Sequence, residues 1–294
     1  EDNVLLDGGS LKSDSDISIS TRTGSHIDGT KSIVVKAATA DEYAIFTNKK
    51  LSMSANNDIT VAGRIKALSY LTLSAGDINV SKAAADGYAI DTASGLRMRA
   101  RKDITVIGRI QALGGSLNLD AGDNVLLNGG SLASTYANHI NAGGSINVSK
   151  AAADGYAIDT PGALFMSANN DITVAGGIQA FDGASMGAGD DVLFNGGSLK
   201  SEDAIRIAAG TDGTGSIVVS KAAADGYAID TAAALSMSAL NDITVAGRIQ
   251  ALDGASMDAG DGVLLDGGSL KSDSAISIAA GTGVGTDGTG SIVV

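Results

Sequence analysis

Apolar and polar residues alternate in short runs along the whole chain. In "ALSMSA" at 234–239, Leu235 and Met237 fall on one side of an extended backbone and Ser236 and Ser238 on the other. Successive side chains of a strand point to opposite faces, so this period of two predicts half-buried strands rather than helices. A related run, "GLRMRA" at 95–100, keeps Leu96 and Met98 but carries Arg97 and Arg99 where the serines stand. Burying an unpaired arginine is prohibitively costly, so only outward positions accept that exchange. Leu96, Met98, Leu235 and Met237 are therefore expected to face a core, with Arg97, Arg99, Ser236 and Ser238 facing solvent. The runs "DITV", "SIVV", "INV" and "ISI" alternate in the same way and are rich in β-branched residues. Clusters such as "AGD", "NGG" and "ANND" separate the runs and read as turns.

These runs belong to a repeat that keeps its wording but not its spacing. "SKAAADGYAIDT" occurs without change at 81–92, 149–160 and 220–231, and a looser relative occupies 35–47. Tyr43, Tyr88, Tyr156 and Tyr227 are separated by steps of 45, 68 and 71 residues, and the "DITV" runs at 58, 103, 171 and 242 repeat the same steps. The long units each divide into three pieces, at 103–122, 123–144 and 145–170 and at 171–189, 190–215 and 216–241. The short unit has only two, 58–76 and 77–102, and lacks the middle piece that reads "DNVLLNGGSL" elsewhere. A globular core does not survive loss of a whole piece with its surroundings intact, whereas a solenoid does, because each coil touches only its neighbours. Each piece carries about three strand-like runs. The predicted fold is all-β: a parallel β-helix of about 12 coils with three short strands per coil. At the ordinary interstrand spacing that makes a rod of roughly 50–60 Å.

Composition supports this architecture. Glycine supplies 40 of 294 residues, with one proline, no cysteine, no tryptophan and 3% aromatics. Glycine at this density suits turns and disfavours helix bundles. Ala, Ile, Val, Leu and Ser dominate in place of aromatic mass, which fits a narrow, regularly layered interior. Residues 1–294 read as a single β-helical segment, starting and stopping within the repeat, and the expectation is a portion of a longer fibre. The net charge of −13 favours a self-repelling surface and disfavours nucleic acid and anionic membranes as partners. No apolar run approaches the ~20 residues of a membrane-spanning helix. The lack of cysteine is compatible with the cytosol and with a secreted chain alike.

The motifs "NDITVAGRIQAL" at 241–252, "GSLNLDAGDNVLLNGGSL" at 115–132 and "AGGSINVS" at 142–149 resemble the repeat region of filamentous haemagglutinin-like exoproteins. These belong to two-partner secretion systems of Gram-negative bacteria and include contact-dependent inhibition proteins. The resemblance extends over essentially the whole chain. It implies a right-handed β-helix, a secreted or surface-held fibre, and a role in adhesion or delivery.

Candidate chemistry is sparse. The two histidines, His26 and His139, lie in variable stretches and read as incidental loop residues. No Cys/His cluster has zinc spacing, and no base recurs beside the many serines as nucleophilic catalysis requires. Aspartates recur at the turns. Asp171 with Asp190, Asp242 with Asp261, and Asp103 with Asp123 are expected at matching corners of adjacent coils, where stacked carboxylates would suit calcium. The competing reading is that aspartate favours tight turns by bonding its own backbone. Tyr88, Tyr156 and Tyr227 form a spaced aromatic row suited either to stacking on sugar rings or to covering the next coil. Arg97, Arg99, Arg101 and Lys102, with Arg109 in the next coil, form a basic island in an acidic chain. It suits an anionic glycan or a carboxylate-rich protein surface, or merely relieves self-repulsion. The variable stretches 20–31 and 279–290 read as loops, either contact surfaces or spacers.

The expected function is a rigid extracellular stalk of a bacterial surface or secreted adhesin, without enzymatic activity or a resident cofactor. Its partners would be a host or bacterial surface glycan or protein, or neighbouring fibres. Alternatives are a structural subunit of an extracellular filament, sheath or surface layer, and a polysaccharide-acting β-helix enzyme.

Overall fold

The computed structural model describes residues 3–21, 31–38, 43–81, 87–150, 155–211, 213–222, 226–281 and 291–293. It is a parallel β-helix. Three sheets of 13, 12 and 12 strands run the length of the rod, and every third strand in sequence belongs to the same sheet. We call them sheets A, B and C in the order the chain visits them. Twelve complete coils result, numbered 1–12 from the amino end, followed by one further strand of sheet A, Ser291–Val293. The coil boundaries match the pieces read from the sequence, and residues 58–102 form exactly two coils where the longer units form three. Among the described residues there is no helix, and so none long and apolar enough to cross a membrane.

Neighbouring coils pair residue for residue. In sheet C, Leu96 lies beside Leu71 on one side and Leu117 on the other, and Met98 lies between Leu73 and Leu119. Equivalent inward side chains thus stack in columns up the axis. Leu96, Met98, Leu235 and Met237 are all buried to within 1% of complete, while Arg97, Arg99, Ser236 and Ser238 face outward. The serine-to-arginine exchange reported the inner and outer faces correctly.

The column interior is almost wholly aliphatic, and its few polar members are mostly satisfied. Thr47, Thr92, Thr160 and Thr231 are buried at the end of sheet B strands, and each hydroxyl donates to a backbone carbonyl at 2.6–2.7 Å. Asn138 is the exception. It stands in the Leu117–Leu164 column of sheet C, fully buried; its Oδ1 accepts from Ser134, but its Nδ2 has no partner.

Two kinds of corner hold the coils together. Between sheets A and B, the glycines at 176 and 247 lie directly on the preceding coil. A Cβ there would stand 2.3 Å from the carbonyl oxygen of Ser149 or Ser220, so only glycine fits. Between sheets C and A, short polar side chains form a ladder in which each accepts the backbone N–H of its equivalent one coil on. Asp77 accepts from Asp103, Asp103 from Asn124, Asn124 from Ser145, and Asp171 from Asp191.

That ladder corrects the expected aspartate pairs. Asp171 stands against Asp191, Asp103 against Asn124 and Asp242 against Gly262, one residue beyond Asp190, Asp123 and Asp261. The latter three stack instead on Asn170, Lys102 and Asn241 through their backbone N–H groups. Consecutive polar residues in each turn make the two registers hard to separate in sequence; the strand that follows decides between them. The ladder carboxylates are engaged as acceptors for backbone N–H groups. No group of three or more His, Cys, Asp or Glu able to hold a metal ion occurs among the described residues.

Candidate binding face

The outward surface of sheet C presents two columns of side chains, one from the second and one from the fourth position of each strand. In coils 1–3 and in coil 10 these are small. Coils 1–3 carry Ser18 and Ser20, Ser52 and Ser54, and Thr72 and Ser74; coil 10 carries Ser236 and Ser238. In coils 4–7 the character changes. The first column reads Arg97, Asn118, His139, Phe165, and the second Arg99, Asp120, Asn141, Ser167, each in direct register with the next. Beyond them, coil 8 returns to Ser185 and Gly187, coil 9 carries Arg206 and Ala208, and coil 11 carries Ser256 and Asp258.

The side chains of this patch contact one another. The rings of His139 and Phe165 stack with centroids 4.8 Å apart and planes 12° from parallel, and Phe165 keeps 43% of its surface exposed. Asp120 accepts two hydrogen bonds, from Arg97 Nη2 at 3.3 Å on Oδ2 and Asn141 Nδ2 at 3.0 Å on Oδ1, and Arg99 Nη2 forms an ion pair with Oδ2 at 3.8 Å. The Arg97 side chain stays 44% exposed and that of Arg99 61%. Around the corner, Lys102 lies 3.7 Å from Asp77, and Arg101 donates to the carbonyl oxygen of Asn56. In coil 8, Ser185 stands beside Phe165 and Gly187 beside Ser167, and a Cβ added at Gly187 would meet nothing within 4 Å.

The five residues of the basic island thus divide. Arg97 and Arg99 stand on sheet C and Arg101 and Lys102 at its edge, whereas Arg109 opens a strand of sheet B. There its guanidinium lies 4.6 Å from the centre of the Tyr88 ring. Tyr43 is covered in the same way by Arg64 at 4.6 Å and Tyr227 by Arg248 at 4.5 Å. Lys66 also approaches Tyr43, at 5.5 Å, and its pKa is raised above the usual lysine range, chiefly by its bond to Asp91. Tyr156 differs. The residue at the position of the covering arginine is Gly177, and the exposed Tyr156 ring leans over it. One face of Tyr88 and Tyr227 is therefore occupied by protein, and Tyr156 is the most open of the three.

His139 is not a loop residue. It lies within the strand Asn138–Ala142, pointing outward. His26 is outside the described residues, as are most of the stretches 20–31 and 279–290 and most of each Ala-Ala-Ala-Asp segment before the tyrosines. The signal for the patch was present in the sequence, in the Phe165 of "LFMSA" and the His139 of "NHINA", which occupy the same outward position as Arg97.

No family model, no curated protein and no solved structure matches this chain. The likeness to filamentous haemagglutinin-like exoproteins rests on the repeat motifs alone.

Proposed function

We propose that this chain is a rigid stalk segment of a secreted or surface-held bacterial fibre of the adhesin type, holding binding regions away from the cell. The observation that carries this reading is the coil-by-coil stack, in which a whole coil is present in one unit and missing in another without disturbing its neighbours. Such an array sets reach simply by coil number. The net charge of −13 supports it, since like-charged rods resist lateral collapse. The engagement of both Asp120 oxygens supports binding over catalysis on the patch, because glycosidic cleavage in most families calls for a pair of carboxyl groups flanking the bond.

The test is immunogold electron microscopy of intact producing cells, with antibody raised against this chain. Label along single fibres projecting from the surface is the expected result. Label in a side-by-side lattice would replace the stalk with the layer or sheath subunit. Label confined to the cell interior would overturn both.

A further inference from the structure

We infer that the outward face of sheet C over coils 4–7 is a binding site for an acidic oligosaccharide built from uronic acid units. The inference holds whether the fibre is a stalk or an assembly subunit. The first argument is contrast. A mostly small-residue surface gives way to large side chains from four consecutive coils in register, the longest such run on this face; Arg206 of coil 9 and Asp258 of coil 11 are single charged residues outside it. Nothing in the fold demands them, since Ser236 and Ser238 serve the same strand positions in coil 10.

The second argument is chemical. The stacked His139–Phe165 pair offers a flat, partly exposed platform for the C–H face of a pyranose ring. Ser185 beside Phe165 and Gly187 beside Ser167 keep the next coil low alongside it. Asp120 and Asn141 supply an acceptor and an amide for ring hydroxyls, with Asp120 fixed in orientation by two hydrogen bonds and the Arg99 ion pair. Arg97 and Arg99 stand two and three coils from the platform and bring guanidinium groups suited to bidentate recognition of carboxylates. Arg101 and Lys102 add positive charge at the edge of the same face in a chain of net charge −13. From Arg97 to Phe165 is three interstrand spacings, roughly 14 Å. That length accommodates a short oligosaccharide lying along the rod axis, with sugar rings over the aromatic pair and carboxylates toward the arginines. A purely acidic peptide would use the arginines but leave the platform idle, so the glycan fits more of the face.

The probe is oligogalacturonate, titrated calorimetrically into the full 294-residue chain, with its methyl-esterified form and poly-glutamate as comparisons. Binding is expected for oligogalacturonate and at least about tenfold weaker for both comparisons. Phe165→Ser and the pair Arg97→Ser with Arg99→Ser should each weaken binding about tenfold, and the arginine pair should also flatten its salt dependence. These variants place serine where coil 10 already has it, and unchanged circular dichroism confirms that they fold. Arg248→Ser removes one cation on sheet B and should leave binding unchanged. Absence of oligogalacturonate binding overturns the inference, as does full affinity in Phe165→Ser. Equal binding of poly-glutamate reassigns the face to an acidic protein. Loss in Arg248→Ser equal to that of the arginine pair reduces it to bulk charge.

Discussion

Coils 7 and 10 contain the same twelve residues, yet their tyrosines end in different surroundings. Tyr227 lies under Arg248 of coil 11, at 4.5 Å, and is partly covered. Tyr156 has Gly177 of coil 8 at that place and remains exposed. The corner beneath is the same in both: Gly176 and Gly247 each sit 2.3 Å, measured from an ideal Cβ, from the serine carbonyl of the coil before. Among the described residues, the difference follows one residue of the next coil, Arg248 against Gly177. In this architecture a motif does not determine its own environment; the adjoining coil completes it, which is the nearest-neighbour behaviour of a solenoid in structural form.

The shared corner gives the largest expected effect. Gly247→Ala and Gly176→Ala should each destabilise the protein by about 2–3 kcal/mol, because the nearest obstacle in both is the serine backbone of the preceding coil, with the Cβ of Ala228 or Ala157 close behind. Urea denaturation measures it, and a large difference between the two variants would break the claim that the corners are equivalent.

Moving inward, Asn138 interrupts a column whose neighbours are Leu117 and Leu164, and its buried amide nitrogen lacks an acceptor. Asn138→Leu should stabilise by about 1–2 kcal/mol, by restoring apolar contact and removing the unmet donor. In that variant the Ser134 hydroxyl donates to the Tyr136 carbonyl oxygen, 2.7 Å away. A lower urea midpoint would show that the amide contributes to the fold.

The arginine itself is worth less. Gly177→Arg should cover Tyr156 and add about 0.5–1 kcal/mol, while Arg248→Gly should uncover Tyr227 and remove about as much. Side-chain exposure of each tyrosine, followed by solvent-perturbation absorbance, checks the geometry alongside the melts. If Gly177→Arg leaves Tyr156 as accessible as before, the neighbouring coil is not what sets its surroundings.

The smallest effect belongs to the corner ladder. The Asp58 pKa is raised, first by burial and then by the nearby charge of Asp77, and its Oδ1 has no partner. Asn124 occupies the equivalent rung in coil 6 without that burden. A carboxyl group with a folded pKa above its unfolded value opposes folding when ionised, and this cost fades as pH falls through the folded pKa. Asp58→Asn should therefore stabilise slightly at neutral pH, and the advantage over wild type should shrink on acidification. An advantage that grows in acid would reverse the assignment.

The strands, the coil count and the two faces were legible in the sequence because a period of two can be tested by one exchange, here serine for arginine at 97 and 99. The arginine half of the binding face was legible for the same reason. Its aromatic half was not. His139 and Phe165 are 26 residues apart in different coils, and only the pairing of strand Asn138–Ala142 with Leu164–Ala168 brings them together. The aspartate corners slipped by one residue because consecutive polar residues in a turn carry no periodicity. Spacing also grouped Arg109 with Arg97 and Arg99, although the turn between sheets sends it to a different face.

The one-to-one pairing of coils has a mechanical side. The hydrogen bonds between coils run along the rod, so tension applied to its two ends peels coils from the stack instead of shearing the sheets. Releasing the 22-residue coil at 123–144 would shorten the rod by one interstrand spacing and free enough extended chain to lengthen the molecule by about 70 Å. A fibre built this way meets a sudden pull by paying out slack in coil-sized steps, and rewinds each coil against a neighbour that is still folded.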